Sequence, residues 1–266
     1  MDDVKRGMLV NEMLFPRNYP MNPLLNAKEP MSILEMRLFW LALDDARAQI
    51  AARGESCRDG FDVLRLLPGQ VKRIFANGSY LERLAPACDS LQSWTIDWQD
   101  EDGDAVIYKV FRVIQYQPKD GLVIQFSSSM WPFLLDLYCE RPGFETSSLQ
   151  QLFQLSSTHA VRLLVWLLQY RRISQVEQVS CSIHVENLRE LLRVEASQYP
   201  LMAEFKRRVL DAPIREINKR TQYRLRYEPT KMDRKITGFT FTMDCSDVAT
   251  DTASEKTTVL ERIASK

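Results

Sequence analysis

Residues 199–243 read YPLMAEFKRRVLDAPIREINKRTQYRLRYEPTKMDRKITGFTFTM and change pattern once along their length. The first part begins near Pro200 and repeats its apolar residues at helical spacing. The second part, YRLRYEP and KITGFTFTM, alternates with a period of two on either side of a basic tip, Thr230 to Arg234. The stretch therefore predicts one long helix followed by a β-hairpin.

The predicted helix has an apolar and a polar side on a helical wheel. The apolar side holds Leu201, Phe205, Val209, Leu210, Ala212, Pro213 and Ile217. The polar side holds Glu204, Arg207, Arg208, Asp211, Arg215 and Asn218, with Lys219 at the boundary. Lys206 and Glu216 fall inside the apolar arc, where the lysine stem can lie along an apolar surface. Pro213 removes a hydrogen bond and disfavours a helical Ala212, which predicts a kink or break there.

The residues before this helix continue the pattern. SSLQQLFQL (147–155) and SSTHAVRLLVWLLQYRR (156–172) are helical, and the second is apolar nearly all round, which places it at the centre of a core. VSCSIHV (179–185) predicts a strand, and VENLRELLRV (185–194) predicts a short amphipathic helix. In a helix-turn-helix arrangement this short helix precedes and braces the long one.

The first half of the chain has a similar order. Helices are predicted over SILEMRLFWLALDDAR (32–47), where Ser32 and Glu35 form a capping box, over the end of FDVLRLLPGQVKRIF (61–75), and over SYLERLAPACDSLQ (79–92), where Pro86 interrupts the helix. SWTIDW (93–98), DAVIYKVFRVIQYQ (104–117) and GLVIQFS (121–127) predict a β-meander, and SSMWPFLLDLY (128–138) returns to helix.

Helices followed by a two- or three-stranded wing, occurring twice, predict an α+β fold of two tandem winged-helix domains. We expect an N-terminal arm over residues 1–30, a first winged helix over 31–142, a second over 143–243, and a flexible C-terminal tail over 244–266.

Charge is unevenly distributed along the chain. The 266 residues hold 35 basic and 35 acidic side chains, so the total charge indicates no class of partner. Residues 201–235 hold eleven basic residues and five acidic ones, which gives 11 − 5 = +6 there and −6 elsewhere. This asymmetry concentrates a positive field near the long helix and the hairpin.

Several function classes are excluded by what the sequence lacks. The five cysteines (Cys57, Cys88, Cys139, Cys181 and Cys245) form no C-x-x-C pair, so neither a disulfide framework nor a zinc site is expected. Neither a signal peptide nor an apolar run long enough for a membrane span is present, so we expect a cytoplasmic protein with no membrane partner.

Enzyme signatures are missing as well. The only histidines, His159 and His184, are far apart, which excludes the metal-binding H-x-H pair of DNA-nicking initiators. No phosphate-binding loop and no G-x-S-x-G motif occurs, and the acidic DWQDEDGD (97–104) lacks calcium-loop spacing. We expect no catalytic residue, no metal and no cofactor.

The basic cluster has two interpretations that the residues alone leave open: a solvated helix face, or a surface that binds DNA. In the second, arginines of the polar face enter the major groove and address guanine. Lys219, Arg220, Arg224 and Arg226 then neutralise phosphates, and Lys231, Arg234 and Lys235 reach the backbone or the minor groove.

A family resemblance bears on this choice. Residues 199–243 resemble the C-terminal winged helix of the Rep_3 family of plasmid replication initiators. FETSSLQQLFQLSSTHAVRLLVWLLQYRR (144–172) and SIHVENLRELLRV (182–194) resemble the entry and middle helices of that domain. LEMRLFWLAL (34–43) and VIYKVFRVIQYQPKDGLVIQFSSSMWPFLLDL (106–137) are similar to the first winged helix of the family.

The resemblance implies a bacterial protein that binds the directly repeated iterons of an origin as a monomer, opens an adjacent AT-rich region, and recruits the host initiator ATPase and replicative helicase. It implies a homodimer, in equilibrium with the monomer and formed through the first domain, that represses its own gene at an operator inverted repeat. It assigns base reading to Lys206, Arg207, Arg208, Arg215 and Lys219, with Arg234 and Lys235 at the wing.

Two alternatives remain at this point. One is a transcriptional repressor with the same fold and no initiator activity. The other is a protein-interaction scaffold in which the basic face is incidental. Flanking DNA separates initiator from repressor, and the salt dependence of binding separates DNA binding from a protein interface.

Overall fold

The computed structural model describes residues 31–53, 62–75, 80–99, 105–130, 151–174, 178–233 and 235–245. These residues form two compact units that separate between Pro142 and Gly143. The predicted arm over 1–30 and most of the tail lie outside the described residues. Of the predicted helix over 128–138, Ser128–Met130 forms a 3-10 turn and residues 131–138 lie outside the described residues.

The first unit begins with helix α1 (Ile33–Arg53), whose predicted capping box is confirmed. The amide of Glu35 donates to Ser32 Oγ at 3.3 Å, and the amide of Ser32 donates to the Glu35 carboxylate at 2.5 Å. The consecutive residues Leu38 to Leu43 are all buried. The helix therefore packs on nearly every side, because it crosses the middle of the unit.

Strand β1 (Leu64–Leu66) and helices α2 (Pro68–Phe75) and α3 (Tyr80–Gln92) follow. The prediction that Pro86 interrupts the third helix is wrong, since α3 continues through it. A proline in a helix removes one backbone hydrogen bond without removing the apolar contacts of its neighbours. Leu84, Ala87, Cys88 and Leu91 keep this helix packed against the core.

The strands of this unit form two sheets instead of one meander. Strands β2 (Thr95–Gln99) and β3 (Ala105–Lys109) pair antiparallel with each other. Strands β4 (Phe111–Gln117) and β5 (Gly121–Phe126) form a second sheet in the order β1-β5-β4. The run DAVIYKVFRVIQYQ divides at Val110, whose amide donates to the carbonyl of Trp94 and whose carbonyl accepts from the amide of Ser127.

Aromatic rings fill the core of the first unit. The ring of Phe39 makes edge-on contacts with Trp94, Phe111 and Phe126 at centroid distances of 5.8 to 6.2 Å. These contacts hold α1 against the β1-β5-β4 sheet and against Trp94, the residue before β2. Cys88 is also buried, which raises the pKa of its thiol to about 12 and fits a packing role.

The second unit contains helix α4 (Thr158–Ser174), strand β6 (Gln178–His184) and helix α5 (Val185–Leu191). A continuous helical segment, α6, follows; it consists of Met202–Phe205, Lys206–Asp211 and Ala212–Arg220. Strands β7 (Arg224–Met232) and β8 (Lys235–Asp244) complete an antiparallel sheet in the order β6-β8-β7.

The inner face of this sheet is aromatic. Phe241 contacts Trp166 of α4 edge-on at 5.7 Å, and Phe239 stacks on Phe205 of α6 at 6.4 Å. The buried α4 confirms the prediction of a central helix. Both units combine helices with antiparallel strands, and the second ends in the predicted hairpin, which confirms the α+β class.

Candidate nucleic-acid interface

Helix α6 presents a basic surface to solvent. Phe205, Val209, Leu210, Ile214 and Ile217 anchor one side of the helix in the core. The exposed side carries the predicted residues Arg207, Arg208, Arg215 and Lys219. The two-sided prediction is confirmed with corrections. Leu201 and Ala212 are exposed instead of buried, and Ile214 is buried.

The middle of α6 is a π-helical turn, Lys206–Asp211. Of the predicted kink or break at Pro213, the break does not occur: the helix continues through the proline, and Ala212 is helical with φ −70° and ψ −48°. A π-turn is wider than an α-helical turn. Its position just before Pro213 makes room for the proline ring and accommodates the hydrogen bond that the proline cannot donate. The basic residues before and after Pro213 therefore lie on one continuous helical segment.

Strand β7 holds this π-turn in place. The hydroxyl of Tyr227 donates to the carboxylate of Asp211 at 2.7 Å. The ammonium of Lys206 lies 5.9 Å from the centroid of the Tyr227 ring, so this lysine snorkels along the aromatic surface as predicted. Burial raises the pKa of Tyr227, and the bond to Asp211 raises it further. Asp211 thus ties α6 to Tyr227, and Lys206 is half-buried against the ring of the same tyrosine.

Glu216 binds the two residues that precede helix α4. Its carboxylate accepts from the amide and the hydroxyl of Ser156 at 2.8 and 2.6 Å, and from the amide of Ser157 at 3.1 Å. Ser157 itself caps the helix, since its hydroxyl accepts from the amide of Ala160 at 3.3 Å. The negative charge of Glu216 near this N-terminus also favours the helix dipole. These contacts explain an acidic residue in the apolar arc of α6. Arg220 joins the same cluster, 3.8 Å from Glu216 and 3.1 Å from the carbonyl of Gln154.

Arg224 and Arg226 make contacts within the protein. Arg224 donates to the carbonyls of Asn218, Thr221 and Tyr223 at 2.9 to 3.1 Å and so caps the C-terminus of α6. Arg226 forms an ion pair with Asp244 at 3.1 Å. Because neighbouring strand residues alternate between faces, Arg226 lies on the face opposite Tyr227 and α6. The structure therefore separates Arg226 from the exposed face of α6 and places Arg224 at the end of that helix.

The hairpin tip carries the remaining predicted residues. Lys231 and Lys235 are exposed, and Met232, which pairs with Lys235, is 70% exposed. Asp233 turns the chain with φ 52°. Arg234 lies outside the described residues. The tip thus places at least two ammonium groups at the far end of the sheet.

Helix α4 also supports α5 through a buried arginine that sequence reasoning missed. Arg162 is 3% exposed and donates to the carbonyl of Leu191 at 2.7 Å. Burial lowers its pKa to about 10, and Arg193 nearby lowers it as well. Periodicity reports only that position 162 is internal, so no local signal marks this residue as a polar clamp on the end of α5.

Among the described residues no group of three or more His, Cys, Asp and Glu side chains could hold a metal ion. None of the helices in that part of the chain is long and apolar enough to cross a membrane.

The fold and the exposed basic helix define a class of protein, the tandem winged-helix DNA-binding proteins. The family profile described as initiator replication protein, WH1, matches residues 20–168, and the profile described as initiator Rep protein, WH2, matches residues 184–243. The chain belongs to this family of replication initiators. The resemblance found in the sequence is confirmed, and so are the tandem winged helices and the non-enzymatic class. The first profile extends into α4, which packs in the second unit.

A solved structure with the same fold is the "Pi initiator protein in complex with iteron DNA", with 18% identity over 84% of this chain and 98% of that chain, and a TM-score of 0.57. A weaker match is to "domain2 and domain 3 of RctB", with 10% identity over 83% of this chain and 85% of that chain, and a TM-score of 0.48.

Proposed function

We propose that this initiator binds the iterons of a plasmid origin as a monomer, in the bacterial cytoplasm, with the exposed face of α6 in the major groove. The observation that carries the proposal is the exposed set of Arg207, Arg208, Arg215 and Lys219 on a helix fixed against its hairpin, in a family of replication initiators. Forked arginine donors address guanine bidentately, whereas lysine acts as a point charge for phosphate.

The remaining basic residues have graded roles in this proposal. Lys231, Arg234 and Lys235 contact the backbone or the minor groove beside the site of α6. Lys206, to which the resemblance assigns base reading, is half-buried against Tyr227 and contacts phosphate at the edge of the helix, as does Arg220. Arg224 and Arg226 stabilise the hairpin first and add positive field, because Arg224 bonds three backbone carbonyls at the end of α6 and Arg226 pairs with Asp244 on the opposite face of the sheet.

The two domains divide the work. The second domain (143–243) is the main iteron reader, and the first (31–142) contacts DNA and forms the homodimer, which represses the initiator's own gene at an inverted repeat. The monomer opens the AT-rich region and recruits the host initiator ATPase and replicative helicase. Family membership and the basic face support these roles.

A replication assay tests the proposal. The gene with its flanking DNA is joined to a vector that cannot replicate alone in a bacterial host. We expect the wild type to establish the vector, and the Arg207→Ala, Arg208→Ala double variant to fail although it folds. Repression of a reporter by a wild type that never establishes the vector would favour the repressor alternative. A wild type that binds a protein partner and no DNA would favour the scaffold.

A further inference from the structure

Arg189 lies in the last turn of α5 and clasps the turn that leads into α6. Its Nη1 donates to the carbonyls of Glu195 at 3.1 Å and Gln198 at 2.8 Å, and its Nη2 donates to the carbonyl of Tyr199 at 2.8 Å. The guanidinium holds its donors in a rigid plane. The three bonds therefore fix residues 195–199 as one unit relative to α5.

The same guanidinium also contacts the beginning of α6. Its central carbon lies 4.4 Å from the centroid of the Phe205 ring, and Phe205 is fully buried against Phe239. Arg189 thus joins three parts of the helix-turn-helix through one planar group: the end of α5, the turn, and the first turn of α6. A lysine has no plane with which to do this.

Tyr199 connects this clasp to the exposed face of α6. Its backbone has φ 50°, a left-handed conformation that is strained for a non-glycine residue and persists only where surrounding contacts hold it. One of those contacts is the bond from Arg189 to its carbonyl. The half-buried Tyr199 ring lies under the exposed guanidinium of Arg208, 5.7 Å from the ring centroid.

We propose that Arg189 is a positioning residue and that the Tyr199 ring is a specificity-determining support, which together orient the guanidinium of Arg208 before DNA binds. The inference rests on the proposed function, because Arg208 must read a base for its orientation to matter. A side chain that is already oriented loses less freedom on binding, and bidentate recognition of guanine depends on the angle of the fork. Arg207 differs from Arg208, because it forms an ion pair with the Glu204 carboxylate at 3.1 Å, whereas Arg208 lies over an aromatic ring.

Base preference tests the inference. A duplex is selected by the wild type from a randomised library, and binding is measured to that duplex and to its single-base variants. Arg208→Ala identifies the position that Arg208 reads. We expect Tyr199→Leu to weaken the preference at that position by roughly three-fold, the size of an exposed cation–π contact, and to leave other positions unchanged. Tyr199→Phe keeps the ring and should keep the preference.

Two further variants complete the test. In an Arg208→Ala background, Tyr199→Leu should have no additional effect at that position. Arg189→Lys should weaken the same position, and thermal unfolding shows whether this variant is folded. If it is not, the Tyr199 pair decides alone, because those substitutions leave the bonds of Arg189 to backbone carbonyls in place.

The outcomes separate the inference from the proposed function. Equal loss of affinity on every duplex with Tyr199→Leu, an unchanged preference with that variant, or an additional loss in the Arg208→Ala background would overturn the inference and leave DNA reading by α6 standing. An Arg208→Ala variant with the full wild-type preference would overturn it too. Selection of no duplex by the wild type would overturn the proposed function as well.

Discussion

The carboxamide of Asn218 in α6 pairs with both backbone groups of Leu225 in β7. Asn218 Nδ2 donates to the carbonyl at 2.8 Å, and the amide of Leu225 donates to Asn218 Oδ1 at 2.7 Å. Since β7 is an edge strand, this side chain takes the place of a neighbouring strand. The first unit repeats the arrangement, because Gln92 of α3 bonds the amide of Ile114 and the carbonyl of Arg112 on edge strand β4.

We expect Asn218→Ala to lower the free energy of unfolding of the second unit by about 1–2 kcal/mol, because two backbone groups lose their partner. Urea unfolding followed by circular dichroism measures the change. Asn187→Ala is the matched control, since Asn187 is exposed on α5. Equal stability of the two variants would show that water replaces the carboxamide at no cost.

Glu216→Ala should destabilise the second unit by about 1 kcal/mol, because the amides of Ser156 and Ser157 lose their acceptor and the N-terminus of α4 loses a nearby negative charge. Thermal unfolding measures the effect, and Glu228→Ala, at an exposed acidic residue of β7, is the control for lost charge. This role of Glu216 is contradicted if both variants unfold at the same temperature.

The burial of His159 predicts a dependence of stability on pH. Burial lowers the pKa of His159 below its ordinary 6.5, a backbone hydrogen bond to Leu192 opposes this, and Arg162 lowers the pKa further. The unfolded chain therefore takes up a proton first. The contribution of neutral His159 to the free energy of unfolding is fully present above about pH 6.5. It is lost as the pH falls through the pKa of His159 in the folded protein.

This dependence can be measured by urea unfolding between neutral and mildly acidic pH. His159→Gln should flatten the curve in the window below about pH 6.5. A wild-type slope that survives His159→Gln would assign the effect to other groups.

Local patterns predicted much of the fold. The helical repeat over residues 201–217 and the alternation over 223–243 depend only on which face each residue buries. The sequence alone therefore predicts α6 and the hairpin. The capping box of Ser32 and Glu35 was readable for the same reason, since its partners are three residues apart.

What the sequence could not show depends on distant partners. Glu216 accepts hydrogen bonds from Ser156, which is 60 positions earlier, so on a helical wheel the glutamate is only an anomaly. The helix survives Pro213 because a π-turn precedes it and Tyr227 of the hairpin holds Asp211. The predicted meander divides because the β4 edge is occupied by Gln92 of α3 and not by another strand. The graded roles of Arg224 and Arg226 likewise follow from carbonyl and carboxylate partners that no periodicity reveals.

Arg207→Ala should cost about 1–3 kcal/mol of DNA-binding free energy and relax the preference at one base, if this arginine reads guanine. Fluorescence anisotropy on the preferred duplex and its single-base variants measures both quantities. Arg226→Ala, which removes the same charge from the opposite face of the sheet, should leave the base preference intact. Loss of equal size on every duplex with Arg207→Ala would leave only a phosphate contact.

Salt dependence tests whether the basic face binds a polyanion. If about six phosphates are neutralised, a plot of the logarithm of the binding constant against the logarithm of salt concentration should have a slope of roughly −5. Titrations on one duplex at several salt concentrations give this slope. A slope near zero would support the scaffold alternative.

The most direct measurement is a footprint of the purified protein on the DNA that flanks its own gene, at near-physiological salt, with the Arg207→Ala, Arg208→Ala double variant beside the wild type. We predict that the wild type protects several regularly spaced direct repeats and that the variant loses this protection. Protection of a single inverted repeat alone would indicate a repressor. No protection at all would contradict DNA binding by α6 and would indicate that its basic face is only a solvated surface.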